Sequence, residues 1–158
     1  MSGLQIDDLL DESLVFCDLR ARDMEDLLTQ MTDVARERGY VKDSYLEAVL
    51  ERERLYPTGL PTQVMKVALP HTTDKSHVIN SAILVAKLRE PVNFKEMGEG
   101  ETDVPAEMVF MLAVNGPKDQ LTILQKVVGM FIKEEALRAL KAAETPADIV
   151  RCIKANLD

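Results

Sequence analysis

Met108-Val109-Phe110-Met111-Leu112-Ala113-Val114 is the stretch on which the architecture turns. It is short, continuously apolar and without an alternating polar position. A strand with no polar face is covered on both faces, so this one belongs at the centre of a sheet with other elements above and below it. Asn115-Gly116-Pro117 ends it. Working outward, Ile79 to Leu88 is rich in β-branched and small apolar residues and reads as a strand. Val92-Asn93-Phe94, Val67-Ala68-Leu69 and Leu14-Val15-Phe16 read as shorter ones. Residues 56–66, 70–76 and 95–105 carry the turn formers and polar groups of loops.

Elsewhere the apolar period becomes that of a helix. Met24, Leu27, Leu28, Met31, Val34 and Ala35 mark an amphipathic helix over 22–38, ended by Gly39. Ser44 and Glu47 have capping-box spacing, and Leu46, Val49 and Leu50 carry a second helix to about Arg54. Leu121, Leu124, Val127, Val128 and Phe131 set a third helical face, and a short helix covers 134–143. Thr145-Pro146-Ala147-Asp148 starts the last helix, with a cap, a proline and an acid in the favoured order. Its expected buried stripe is Ile149, Ile153 and Leu157. The succession predicts an α/β fold: a mixed β-sheet with helices packed on it. With no internal repeat or linker, 158 residues fit one domain spanning 1–158.

Composition excludes several functions. Hydrophobic residues at 46% and charged ones at 29% are those of an ordinary globular chain. Aromatics reach only 4% with no Trp, so platforms for stacking bases are nearly absent. The net charge is -8, and residues 1–40 hold ten acidic and four basic side chains, which argues against a nucleic acid partner. Cys17 and Cys152 lack CxxC or metal-ligand spacing and read as buried free thiols of a reducing, cytoplasmic location. The acidic start Met1 to Asp8 lacks the features of a signal peptide, and the run 108–114 is too short to span a bilayer.

Chemistry concentrates on one histidine. Pro57-Thr58-Gly59-Leu60-Pro61 leads to Val67-Ala68-Leu69-Pro70-His71-Thr72, so a strand ends and a proline delivers His71 into a polar loop. The ring is expected to be exposed. With only two histidines, and with Asp74 and His77 nearby in no recognised ligand pattern, no metal is expected. No G-x-S-x-G elbow, Walker loop or G-x-G-x-x-G is present. Acid–base work by the imidazole stays open. So does nucleophilic attack on phosphorus, which asks for a cationic neighbour and hydrogen-bond donors. Arg52 offers a planar fork for phosphate oxygens, and Thr58 and Thr72 offer donors.

Glu51-Arg52-Glu53, then Pro57-Thr58-Gly59-Leu60, then Val67-Ala68-Leu69-Pro70-His71-Thr72 resembles the enzyme IIA domains of the bacterial sugar phosphotransferase system. The similarity is to the mannitol/fructose superfamily, in detail nearest its galactitol-type members, and runs from about residue 10 to 155. It implies a single mixed sheet of about five strands flanked by helices. It implies a phosphohistidine intermediate at Nε2 of His71, with Arg52 binding the phosphate. The donor would be the histidine-containing phosphocarrier protein. The acceptor would be a cysteine of a IIB protein, feeding a membrane IIC sugar permease, with galactitol as the sugar. Many relatives carry a second histidine where this chain has Gln120, which is therefore expected as an accessory donor to the phosphoryl group. The loop between Leu60 and Val67 is longer than in fructose-type members. No cofactor is implied, because the phosphoryl donor is a protein. The alternative is a regulatory module of the same fold that reports phosphorylation state to a transcription factor or channel.

Overall fold

A computed structural model describes residues 6–157. Five strands form one mixed sheet in the order β1-β4-β5-β3-β2. These are β1 (Val15–Leu19), β2 (Gly59–Leu60), β3 (Val67–Ala68), β4 (Ala82–Lys95) and β5 (Asp103–Ala113). β4 and β5 make a long antiparallel hairpin, β1 runs parallel to β4, and β3 runs parallel to β5. The apolar run that opened the sequence reading is thus interior, with β4 on one side and β3 on the other.

Its lack of a polar face has the expected cause. Met108, Phe110, Leu112 and Val114 join Ile83 and Val85 in a core beneath α3 (Pro117–Phe131), α4 (Glu134–Ala142) and α5 (Pro146–Asn156). Val109, Met111 and Ala113 join Leu84 and Ala86 in a second core beneath α1 (Met24–Glu37) and α2 (Tyr45–Leu55). Successive residues of one strand supply opposite faces, and both faces are covered. Phe110 meets Phe131 of α3 edge to face, 5.1 Å between ring centroids. Among the described residues no helix is long and apolar enough to cross a membrane.

Several boundaries differ from expectation. The segments expected at 79–88 and 92–94 are one strand, β4, with a register shift between Lys87 and Val92 that absorbs the polar Arg89-Glu90-Pro91 interruption. The loop expected at 95–105 shrinks because β5 already begins at Asp103. Pro105 is accommodated within β5, outside the part that pairs with β3. The 56–66 loop contains β2, paired antiparallel to β3. Its Gly59 has a steric reason: a Cβ there would lie 2.6 Å from the Lys95 carbonyl oxygen.

The helix ends follow local chemistry. Asp23 caps α1 by accepting from the Asp26 N–H at 2.8 Å, and Thr145 caps α5 through the Asp148 N–H at 3.1 Å. The capping box at Ser44 does not form: its hydroxyl bonds the His77 ring at Nδ1, 2.7 Å away, instead of a helix N–H. On α3 the buried face is Ile123, Val127, Met130 and Phe131, whereas Leu121 is 56% exposed. That helix has apolar residues around more than one face, so periodicity alone did not fix which face turns inward. Leu157, expected buried, is half-buried, as are Cys17 and Cys152.

Candidate active site

The C-terminal end of α2 with the segment that leads from it into β2, the segment after β3 and the tip of the β4–β5 hairpin meet around a pocket of about 460 Å³. Arg52, Leu55, Tyr56 and Thr58 come from the first, His71 from the second, and Met97 to Gly100 from the third. Leu124 of α3 completes the wall. The hairpin tip is pinned to the first segment by the Met97 N–H on the Gly59 carbonyl, 2.8 Å.

His71 is held by the sheet. The chain leaves β3 still alongside β5, where the Leu112 N–H donates to the Pro70 carbonyl at 3.0 Å and His71 bridges to Leu112. The ring is not exposed as expected: the residue is 7% accessible. It nevertheless faces the pocket, whose rim residues Leu55 and Tyr56 are 66% and 59% exposed, so the burial is that of a cleft floor.

One hydrogen bond sets the chemistry of the ring. Nδ1 lies 2.6 Å from the Leu69 carbonyl oxygen. A carbonyl only accepts, so Nδ1 carries the proton and donates it. In the neutral ring the lone pair is therefore on Nε2. Burial pushes the imidazole below its ordinary value, the Leu69 bond draws it back up, and the Arg52 cation pushes it down. The balance is downward, so the ring is neutral and nucleophilic at neutral pH.

Arg52 stands in the last turn of α2, a position that favours a cation. Its guanidinium carbon lies 4.1 Å from the centroid of the Tyr56 ring. It makes no ion pair among the described residues, and its Nε is buried without a hydrogen-bond partner. A stacked, uncompensated guanidinium beside a neutral imidazole is suited to an anion.

The other three expected site residues are differently engaged. Thr58 lines the pocket, but its hydroxyl donates to Glu53 Oε1 at 2.8 Å and accepts from the Leu69 N–H at 3.1 Å. The Thr72 hydroxyl is occupied locally, accepting from the Asp74 N–H at 3.2 Å and donating to the Asp74 carbonyl at 3.0 Å. Gln120 Nε2 donates to the Thr72 carbonyl at 2.6 Å. Neither Thr72 nor Gln120 lines the pocket. The structure therefore brings Arg52, Thr58 and His71 together and pairs Thr72 with Gln120 to one side. His77 sits apart, between Ser44 and Asp74, with Nε2 3.5 Å from the Asp74 carboxylate.

Glu53 entered the sequence reading only as part of the Glu51-Arg52-Glu53 motif and was assigned no role in the site. It is 3% exposed and accepts from both the N–H and the hydroxyl of Thr58, each at 2.8 Å. Burial raises its carboxyl to about pH 7, against the opposing pull of the two Thr58 bonds and of Arg52. A carboxylate in the last turn of a helix opposes the helix dipole, and that misplaced acid, besides its place in the motif, was the signal available in the sequence.

A neutral imidazole with a defined free nitrogen thus lies at the floor of a cleft beside an unpaired guanidinium, an arrangement chemically suited to nucleophilic attack on an anionic group. The family model described as "Phosphoenolpyruvate-dependent sugar phosphotransferase system, EIIA 2" matches residues 8–156, and the chain belongs to that family. The galactitol-specific EIIA component of Escherichia coli strain K12 is 27% identical over 118 residues, covering 75% of this chain and 77% of the relative. The mannitol-specific enzyme IIA component of Halalkalibacterium halodurans is 28% identical over 132 residues, covering 82% and 83%. Among solved structures, enzyme IIA of the mannitol system, in complex with phosphorylated enzyme IIB from Escherichia coli, superimposes with a TM-score of 0.76. That match is at 20% identity over 92% of this chain and 97% of the other, and it establishes the fold. The chain is thus an EIIA component of this system, similar in sequence to galactitol- and mannitol-specific relatives.

Proposed function

We propose that His71 is the phosphoryl acceptor and donor of this component. The observation that carries the reading is the Nδ1 to Leu69 hydrogen bond, which leaves Nε2 as the nucleophile beside Arg52. Nε2 attacks phosphorus of a phosphohistidine on the phosphocarrier protein. The new N–P bond forms as the donor's N–P bond breaks, and the electron pair returns to the donor's ring. In the second transfer a cysteine thiolate of a IIB protein takes the phosphoryl group, and the pair returns to Nε2 of His71. Arg52 neutralises charge on the phosphoryl oxygens. Thr58, Thr72 and Gln120 hold the segment that bears the ring instead of contacting the phosphoryl group, because their hydrogen bonds run to Glu53, Leu69, Asp74 and one another.

The exposed apolar side chains Leu55, Tyr56 and Met97 around the pocket form the docking face for both proteins. Such encounters are brief and small in area. The galactitol and mannitol relatives favour a hexitol as the sugar, with galactitol first, taken up through a membrane IIC component while this chain supplies the phosphoryl group from the cytoplasmic side. Incubation with phosphoenolpyruvate, enzyme I and the phosphocarrier protein, followed by intact-mass measurement, tests the reading. One acid-labile phosphoryl group is expected on the wild type and none on His71→Gln. Uptake by His71→Gln would overturn it.

A further inference from the structure

Glu53 is a buried acid that does not line the pocket, yet hydrogen bonds lead from it through Thr58 to the backbone of Leu69, the residue whose own carbonyl holds the reactive ring. Its two oxygens accept from the N–H and the hydroxyl of Thr58, each at 2.8 Å. The same hydroxyl oxygen accepts from the Leu69 N–H at 3.1 Å. The Leu69 carbonyl accepts from His71 Nδ1 at 2.6 Å. Every link is buried, and each fixes the next in a direction that water could not supply.

From this geometry we infer that Glu53 is the positioning residue of the site, acting through Thr58 and the Leu69 carbonyl to hold His71 in the tautomer whose free nitrogen is Nε2. The inference rests on His71 being the phosphoryl acceptor. Glu53 touches neither the ring nor the pocket, so its effect reaches the chemistry through orientation. Thr58 is the hub. It faces the pocket, but its single hydroxyl proton goes to Glu53, and its oxygen supports Leu69. Were the carboxyl protonated, the Thr58 N–H would keep one oxygen and the acid O–H would point at the Thr58 hydroxyl, so the link to Leu69 survives. Glutamine reproduces that second pattern, with its carbonyl taking the N–H and its amide donating to the hydroxyl. Leucine reproduces neither. At position 58, serine keeps the hydroxyl and valine removes it at nearly constant shape.

The inference divides substitutions by hydrogen bonding and not by size. Nitrogen-15 NMR of the His71 ring in the full chain reads the tautomer without any phosphoryl donor. The wild type, Glu53→Gln and Thr58→Ser are expected to show the Nδ1–H form. Glu53→Leu and Thr58→Val are expected to show the Nε2–H form appearing. Their phosphoryl uptake should slow about tenfold or more, as a slightly misplaced nucleophile does. Glu53→Leu leaves the Thr58 N–H buried without an acceptor; if it fails to fold, the Thr58→Val and Thr58→Ser pair decides alone. A ring that keeps the Nδ1–H form and its titration midpoint in Thr58→Val overturns the inference. A wild type that shows the Nδ1–H form yet takes up no phosphoryl group overturns the phosphocarrier reading instead, and the two failures are distinct.

Discussion

At His71 and Glu53 the same physical cause, burial, pushes two titrating groups in opposite directions. Glu53 keeps its proton to about pH 7 in the fold but loses it in the ordinary carboxyl range when unfolded. Between those values the folded state binds the extra proton, so stability falls as pH rises through the window. A shift of that size corresponds to roughly 3 kcal/mol. His71 is lowered, so below its ordinary value the unfolded chain takes a proton that the folded ring refuses, and stability falls as pH drops. Glu53→Gln removes only the first slope. In urea unfolding, the stability of Glu53→Gln relative to the wild type should therefore improve from pH 5 to about pH 7 and level off above it. A constant difference would mean that the carboxyl titrates normally. For Arg52→Ala the fold should persist while phosphoryl transfer slows by about 10- to 100-fold, the worth of a charge-assisted hydrogen bond. Arg52→Lys should recover only part, because an ammonium lacks the planar fork that stacks on Tyr56. Rapid-quench transfer rates check both.

At the scale of elements, the pocket depends on how closely the β4–β5 hairpin approaches the segment after α2. Gly59 permits it: an added Cβ would lie 2.6 Å from the Lys95 carbonyl oxygen and 2.9 Å from the Val104 Cβ, neither of which is the loose end of a flexible chain. Gly59→Ala should cost about 1–3 kcal/mol by overpacking. It should also move the hairpin tip that walls the pocket, so denaturant midpoint and phosphoryl transfer rate fall together. The elements themselves were legible wherever a period or a cap was strong. Residues 108–114 had no polar face because both faces are covered, and Thr145-Pro146 carried its own start signal. What sequence could not give was pairing. The register shift that joins residues 79–88 to 92–94 depends on β5 lying opposite, and the two-residue β2 is held by β3. In the site, the pattern of residue types pointed to His71 and Arg52. The partners of Thr58, Thr72 and Gln120 lie 5, 11, 2 and 48 residues away, and the longest of these separations becomes visible only once the chain is folded.

For the molecule as a whole, the two cores share one set of strands. Ile83 and Leu84 are neighbours on β4, yet Ile83 is 1% exposed beneath α3, α4 and α5, and Leu84 is 0% exposed beneath α1 and α2. Neither core has a sheet of its own: if the β4–β5 hairpin opens, both lose their floor at once. The expectation of one domain across the chain therefore becomes a statement about cooperativity. Ile83→Ala and Leu84→Ala should each cost about 2–5 kcal/mol, the usual range for truncating a buried aliphatic side chain. Each should lower the stability of both helical layers, whichever core it damages. Native-state hydrogen exchange can separate them, with amides of α1 and α5 reporting the two faces. Under the shared-strand argument, Leu84→Ala lowers protection in α5 by as much as in α1, and urea unfolding stays a single transition by every probe. If Leu84→Ala loosens α1 while α5 keeps wild-type protection, the faces are separate cooperative units and the sheet does not couple them.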